Sequence, residues 1–457
     1  MAVHISDYKG KRIHLIGIGG TSMNALAMML KNLGYEVTGS DRGESLFTQP
    51  LRDMGIEISI GQKAENVRGA DLVAYSAAIK PENPERVEAK RLNIPEMERS
   101  VLLGQLSEHY ETVIGVAGCH GKTTMTSMIA KIAIDANLDP TVHLGGFADF
   151  LGGGTALGKS GLFVTEACEY VDSYLTLHPT IEIISNIDND HLDYFKTEEN
   201  IYRSFEKYAA LLPDDGLLIA GYDDEKVRKL AADSGKRTIT FGITGGDYTA
   251  RDIAAGHDGI TRFTVAKNGE PLVKVALSMP GEHNVLNAIA SFAACHQLGV
   301  SPKAIADSLA DYKLTRRRFE YYGDMNGAKV YHDFAHHPSE IAACLQGARS
   351  VCDGKLYAVL QCNSYTRAKT LFTGDMSCMK QADCAIVPNI YPGRETDDGT
   401  VHARDIVRSI QASGIEAIYL PTFEDIKVWL KRNLKAGDMV VTMGSGDVYQ
   451  QTKIFLR

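Results

Sequence analysis

The chain has 457 residues, 44% of them apolar and 23% charged, with 48 Lys and Arg against 57 Asp and Glu, a formal net charge of −9. At roughly 150 residues per domain this length predicts about three domains, each able to bury its own core. A mildly acidic balance without clustered cations excludes a general polyanion binder, so neither nucleic acid nor an anionic membrane surface is an expected partner. The apolar runs are too short to cross a bilayer, and MAVHISDYKGKR at the amino terminus lacks the apolar stretch of a secretory signal. Membrane insertion is therefore not expected, and the expected location is the cytoplasm. The eight cysteines form no C-x-x-C pair and most fall inside apolar runs, which fits reduced, packed thiols.

Short β-branched runs alternate with helical patterns along nearly the whole chain, the signature of parallel sheets covered by helices. The first block opens with RIHLIGIGG and a helix whose apolar positions Met23, Leu26, Ala27, Leu30 and Leu33 share a face, with Gly34 as its stop. Strands follow at YEVTGS, IEISI and DLVAYS, and a helix near Ser100 to His109 leads into the second block. Inside the first block lies Gly17-Ile18-Gly19-Gly20-Thr21-Ser22, with Asp41 about twenty residues on, after the second strand. This is the layout by which a Rossmann-like unit holds a diphosphate and a ribose. Ser22 in place of a third glycine argues against a nicotinamide fingerprint and leaves either another nucleotide diphosphate or simple helix–strand packing.

The second block starts with TVIGVAG and a helix after Lys122, and continues through LFVTEAC, IEIISNID, GLLIA and RTITFG. Between Asp247 and Met279 polar and apolar residues alternate around a turn at Lys267-Asn268-Gly269, which predicts an antiparallel appendage. A helix from about Asn284 to Leu298, stopped by Gly299, closes the block. The glycine-rich stretch from Gly145 to Gly161 is too long for a simple turn and reads as a functional loop. The strongest local signal is Gly118-Cys119-His120-Gly121-Lys122-Thr123-Thr124, between a strand and a helix. Phosphate binding needs inward-facing N–H groups, a helix amino terminus, a lysine and a hydroxyl, and Gly118, Gly121, Lys122 and Thr123 supply them. The strict G-x-x-x-x-G-K-[ST] pattern fails because position 116 is Val, so the loop is a variant. Glu166, Glu169, Asp190 and His191 follow predicted strands, where ligands gather in parallel sheets.

The third block runs from about Arg318 through KVYHDF, KLYAVLQC, DCAIVPN, IEAIYL and DMVVTMG, with helices between. Arg316-Arg317-Arg318-Phe319 precedes a strand and His332-Asp-Phe-Ala-His336-His337-Pro338 follows one. His332 and His336 are spaced for a helical zinc pair, but Pro338 marks a loop entering a helix and no acidic third ligand is evident, so zinc is not expected.

The ordered set GIGG, GCHGKTT, EACE, NIDNDH, GEHNVLNA, RRRF, HDFAHHP and GSGD resembles the Mur ligases of peptidoglycan synthesis over essentially the full length. The resemblance implies an α/β chain of three domains. A Rossmann-like UDP-sugar-binding domain would span 1–108, and a central P-loop ATPase domain with a parallel sheet and a small antiparallel sheet 109–315. A C-terminal Rossmann-like domain, 316–457, would close over the site. It also implies a reaction: ATP phosphorylates the carboxylate of UDP-N-acetylmuramate, the amine of L-alanine attacks the acyl phosphate, and a tetrahedral intermediate collapses to an amide. ADP and phosphate are released, with ATP and Mg2+ required.

By the same resemblance, Gly118, Cys119, His120, Gly121, Lys122, Thr123 and Thr124 would hold ATP. His283 and Asn287 would lie near the adenine, Arg318 at the terminal phosphate and Asp333 at the ribose. Thr123, Glu166 and His191 would bind magnesium, and Lys122, His191 and Arg318 would be catalytic. Gly17, Gly19, Gly20, Asp41 and Ser76 would face the UDP-sugar, and His336, His337 and Arg367 the amino acid. Where many relatives read E-A-D-E-S-D, this chain has Glu166-Ala-Cys-Glu-Tyr-Val, and Ser364 leaves Arg367 as the evident cation of its segment. Both departures bear on the amino-acid side. The competing readings are a ligase for a recycled murein tripeptide or another amino acid and, from other classes, a nicotinamide-dependent dehydrogenase or a non-catalytic nucleotide sensor.

Overall fold

The computed structural model describes residues 3–256, 259–393 and 395–456 and builds three helix-covered sheets, the three-domain α/β architecture expected. The first sheet contains β1 (Arg12–Ile16), β2 (Glu36–Asp41), β3 (Glu57–Ile60), β4 (Leu72–Tyr75) and β5 (Glu96–Glu98) in the order β3-β2-β1-β4-β5. All its pairings are parallel. The strand order reverses direction between β1 and β4, the position at which open parallel sheets hold their ligands. The helix Thr21–Asn32 buries Met23, Leu26, Ala27 and Leu30 against this sheet, and Gly34, at φ +88°, takes the left-handed turn after it.

The central sheet contains β6 (Thr112–Ala117), β7 (Thr141–Ala148), β8 (Gly153–Ala156), β9 (Leu162–Glu166), β10 (Ile181–Ile184), β11 (Leu217–Gly221), β12 (Arg237–Gly242), β13 (Tyr248–Ala255), β14 (Thr261–Lys267) and β15 (Glu270–Leu277). Its order is β15-β14-β13-β12-β11-β10-β6-β9-β7-β8. β6 has parallel partners on both sides, β10 and β9. The expected appendage is present: β14 and β15 are joined through Asn268 and Gly269, both at positive φ (51° and 88°), the conformation a tight hairpin turn demands.

The glycine-rich stretch is not the loop expected. Much of it is the antiparallel hairpin β7–β8, which extends the sheet at its edge with an irregular register between His143 and Ala148. Glycine removes the side-chain alternation that would have announced a strand, while a Cβ at Gly154 would crowd the backbone oxygens of Leu144 and Gly146.

The third sheet contains β16 (Glu320–Met325), β17 (Ala328–Asp333), β18 (Leu356–Leu360), β19 (Cys384–Val387), β20 (Ala417–Tyr419) and β21 (Met439–Met443), in the order β16-β17-β21-β18-β19-β20. Only the β16–β17 pair is antiparallel among these pairings.

By packing, the chain forms two compact units: Met1–Ala250 with Val265–Val273 and Asn287–Leu309, and Arg251–Thr264 with Lys274–Leu286 and Ala310–Arg457. One hydrophobic cluster runs through the first unit from Ile13 and Leu15 through Leu102, Leu103 and Leu106 to Phe163, Tyr174 and Phe205, so the first and central sheets share a core. The helix Arg99–Ser107 makes this possible at Gly104, where a Cβ would collide with the carbonyl of Thr176. In the second unit the sheet is buried on both faces, by Ile341, Leu345 and Ile406 on one and by Ile426 and Leu430 on the other. Among the described residues no helix is long and apolar enough to cross a membrane.

Candidate active site

The loop between β6 and the helix Lys122–Asp135 is shaped by two glycines at positive φ, Gly118 (133°) and Gly121 (87°). A Cβ at Gly118 would collide with Ser185 Oγ, and one at Gly121 with Asn287 Oδ1. Asn186 clamps the loop from β10's end: its Oδ1 accepts from His120 N at 2.8 Å and its Nδ2 donates to His120 O at 3.0 Å. Sequence reading assigned Asn186 no role, although its place just beyond the end of β10 follows the strand-end rule. The helix starts at Gly121 with no side-chain cap, leaving its amino end to an anion.

Lys122 lies folded over this loop. Its ammonium donates to Gly118 O at 2.7 Å, Cys119 O at 3.1 Å and Glu169 Oε1 at 2.9 Å, which occupies all three donors. Burial works against the charge, but the Glu169 carboxylate outweighs it and holds the lysine above its ordinary value. Glu169 itself is only 1% exposed.

The expected magnesium ligands fall into two adjoining groups. Thr123 Oγ1 donates to Glu166 Oε2 at 3.0 Å, and Glu166 Oε1 accepts from Gly145 N at 2.6 Å. His191 belongs with Glu169 and Asp190 instead, and one ligating atom from each lies within 4.8 Å of the others. His191 sits at φ 52°, its backbone N–H bound to Asp190 Oδ1 at 2.7 Å, and its Nε2 is 3.9 Å from Glu169 Oε1. The Tyr170 ring packs on its imidazole, with centroids 4.5 Å apart. Val171 and Asp172 come next in the left-handed region, costly for a β-branched residue. Asp172 anchors them by accepting from the hydroxyls of Tyr194 and Ser204. Glu169, read from sequence only as a strand-end carboxylate, is the group that joins the lysine to the histidine.

In the first sheet Gly19 N donates to Asp41 Oδ2 at 2.8 Å, so the glycine loop and the end of β2 meet as the spacing predicts. Gly17 takes φ 80°, Gly20 N closes on Gly17 O at 3.0 Å, and Ser76 directly succeeds β4, the neighbour of β1. Ser22, the departure from a third glycine, bonds His143 Nε2 at 2.9 Å, and His143 Nδ1 reaches Thr165 Oγ1 at 3.1 Å. Burial, helped by Arg99, depresses His143 to about 3, so it is a neutral link from the first sheet to the central one.

The second unit holds a separate set. Arg318 lies 4.0 Å from Glu340, which is 3.2 Å from His336 Nδ1. His283 is pushed down to about 4 by burial and by Arg318, and stays neutral. Asp333 spends both oxygens on backbone, accepting from Phe319 N and Ala335 N at 2.7 Å each. His337 caps the helix Pro338–Arg349 by accepting from Ser339 N at 3.4 Å. Arg367, in the helix Tyr365–Leu371, donates to Asn363 O at 3.4 Å. Thus His283, Arg318, Asp333 and His336 gather in one unit, and the 118–124 loop, Asn287, Glu166 and His191 in the other.

Three family models match the chain: the Mur ligase family catalytic domain over residues 12–111, the Mur ligase middle domain over 116–295, and the Mur ligase glutamate ligase domain over 317–446. The UDP-N-acetylmuramate--L-alanine ligase of Acetivibrio thermocellus is 45% identical over 451 residues, 98% of this chain and 96% of that one. That of Alkaliphilus metalliredigens is 44% identical over 457 residues, covering 100% and 99% of the two chains. Among solved structures, the UDP-N-acetylmuramate-alanine ligase of Thermotoga maritima superposes with a TM-score of 0.81 at 28% identity, over 98% of both chains. A murein peptide ligase from Psychrobacter arcticus gives 0.70 at 27% identity, also over 98% of both.

Proposed function

This chain belongs to the Mur ligase family, and from that premise we propose that it joins L-alanine to UDP-N-acetylmuramate in the cytoplasm at the cost of ATP, one step of peptidoglycan synthesis. The observation that carries the reading is the Gly118–Thr124 loop with Lys122 across it and carboxylates and an imidazole at the neighbouring strand ends. The tasks divide by domain: residues 1–108 hold the UDP-sugar, 109–315 ATP and metal, and 316–457 the amino acid.

The chemistry is a problem of charge. A carboxylate is a poor nucleophile towards a polyanion, so the site must neutralise phosphate oxygens and align the attack. Loop N–H groups and the helix end at Lys122 cradle the phosphates, and Lys122 and Arg318 meet the transferring group. The muramyl carboxylate attacks the terminal phosphorus, ADP leaves, and the amine of L-alanine adds to the acyl phosphate carbon. Collapse of that tetrahedral intermediate expels phosphate. His336, His337 and Arg367 face the amino acid, and Asn287 and His283 the adenine.

Oxygen donors with a single imidazole suit a hard divalent cation such as magnesium. Thr123 and Glu166, with His191 beside Glu169 and Asp190, would hold it. When bound, such an ion neutralises phosphate charge.

The test is phosphate release from ATP and magnesium with UDP-N-acetylmuramate and a panel of amines. Release that requires both the UDP-sugar acid and L-alanine is expected, with glycine and L-serine slower. A pocket separates one methyl by only about 1–3 kcal/mol. Release independent of the UDP-sugar, or preference for a murein tripeptide, would overturn the assignment.

A further inference from the structure

Glu169 occupies a position that the phosphate chemistry alone does not require. Its carboxylate is 1% exposed, 2.9 Å from the Lys122 ammonium, and its other near neighbour of basic character is His191 Nε2 at 3.9 Å. Lys122 has no spare donor: two loop carbonyls and Glu169 take all three. For the ammonium to reach a nucleotide phosphate it must give up a bond, and of its three partners Glu169 is the charged one.

We propose that Glu169 is a positioning residue that parks Lys122 in the nucleotide-free protein and couples its release to the arrival of a divalent cation. The inference rests on the reading of the 118–124 loop as the ATP site. A buried carboxylate left without a cation is costly, so Lys122 leaves readily only if another positive charge takes its place. The groups that could recruit one are beside it: Asp190 and His191 offer ligating atoms within 4.8 Å of the Glu169 oxygen. Nucleotide and metal therefore bind cooperatively through this side chain, over and above their affinity for each other in solution. The link is reciprocal, as any coupling of two sites must be.

The test is equilibrium binding of ADP to the full-length chain, once in EDTA and once with magnesium, for the parent, Glu169→Gln, Glu169→Asp and Lys122→Ala. Glu169→Gln is expected to bind metal-free ADP about tenfold or more tighter than the parent, because the lysine is no longer held, and to lose the same factor from the gain that magnesium brings. Glu169→Asp keeps the charge and is expected to restore most of the parent's magnesium dependence, which a merely structural role would not do. A Glu169→Gln protein with parent-like circular dichroism and melting, but unchanged ADP affinity in EDTA, overturns the proposal. Lys122→Ala separates the two levels. Weakened ADP binding in that variant supports the loop as the nucleotide site, and unchanged binding both with and without magnesium overturns that reading itself.

Discussion

The two glycine loops of the first unit have the same local plan, a strand, a glycine turn and a helix, and differ in the residues that open the helix. At the 17–22 loop the helix starts after Gly20 with Thr21 and Ser22, and Gly19 N donates to Asp41 at 2.8 Å. At the 118–124 loop the helix starts with Lys122, already paired to a buried carboxylate, and Thr123, bonded to Glu166. The first loop can hold a diphosphate by N–H groups and a helix dipole and has no cation in its own sequence, Arg99 reaching Ser22 from another helix at 3.3 Å; the second carries its own lysine and oxygen ligands. Binding without chemistry needs only the first design. Transfer of a phosphoryl group needs the second, because the charge that develops on the phosphate oxygens must meet cations already in place.

The sharpest break of that contrast is Lys122→Ala. Turnover is expected to fall by roughly 100-fold or more, while UDP-sugar affinity, read by calorimetric titration, stays at the parent value; comparable activity would remove the 118–124 loop from the chemistry. Gly19→Asp attacks the other loop. It sets a second carboxylate where a Cβ would already lie 2.9 Å from Asp41 Oδ2, so UDP-sugar binding is expected to weaken by about tenfold or more. Unchanged affinity would place the diphosphate elsewhere.

Glu182 belongs to neither loop and so serves as a control in the central sheet. It lies in β10 with both carboxylate oxygens buried and without a hydrogen bond, and burial holds its carboxyl well above the usual range, Lys236 opposing only in part. A raised carboxyl costs nothing at a pH below its unfolded value. As pH rises through that value the unfolded chain ionises while the folded chain does not, and stability is lost. Glu182→Met is therefore expected to raise stability by about 1–3 kcal/mol near pH 8 and by less near pH 5, measured by thermal unfolding. A gain that is equal at both pH values would contradict this account. The smallest effect is expected from Ser22→Gly, which restores the third glycine and breaks the bond to His143. Stability should drop by about 1 kcal/mol with UDP-sugar affinity nearly unchanged; a large loss of affinity would make Ser22 part of the binding loop.

Much of this was legible in the chain before its fold. The 118–124 loop, the helix stop at Gly34 and the Asn268-Gly269 turn were readable because glycine, capping and periodicity act over a few residues. The β7–β8 hairpin was not, because glycines carry no alternation for a strand to display. The pairing of Glu169 with Lys122 is not legible, because a position three residues beyond Glu166 does not say which partner a strand-end carboxylate meets. Asp333 shows the reverse limit: its motif places it by resemblance at a ribose, and the fold adds that its oxygens accept from Phe319 N and Ala335 N, a local bond pattern no motif spells out.

Gly104 carries a last consequence. Because that glycine lets the helix Arg99–Ser107 lie directly against the Thr176 backbone, and because one apolar cluster runs on both sides of it, the first and central sheets are expected to unfold as a single cooperative block. Amide hydrogens in β1 and in β6 should then exchange through the same opening event.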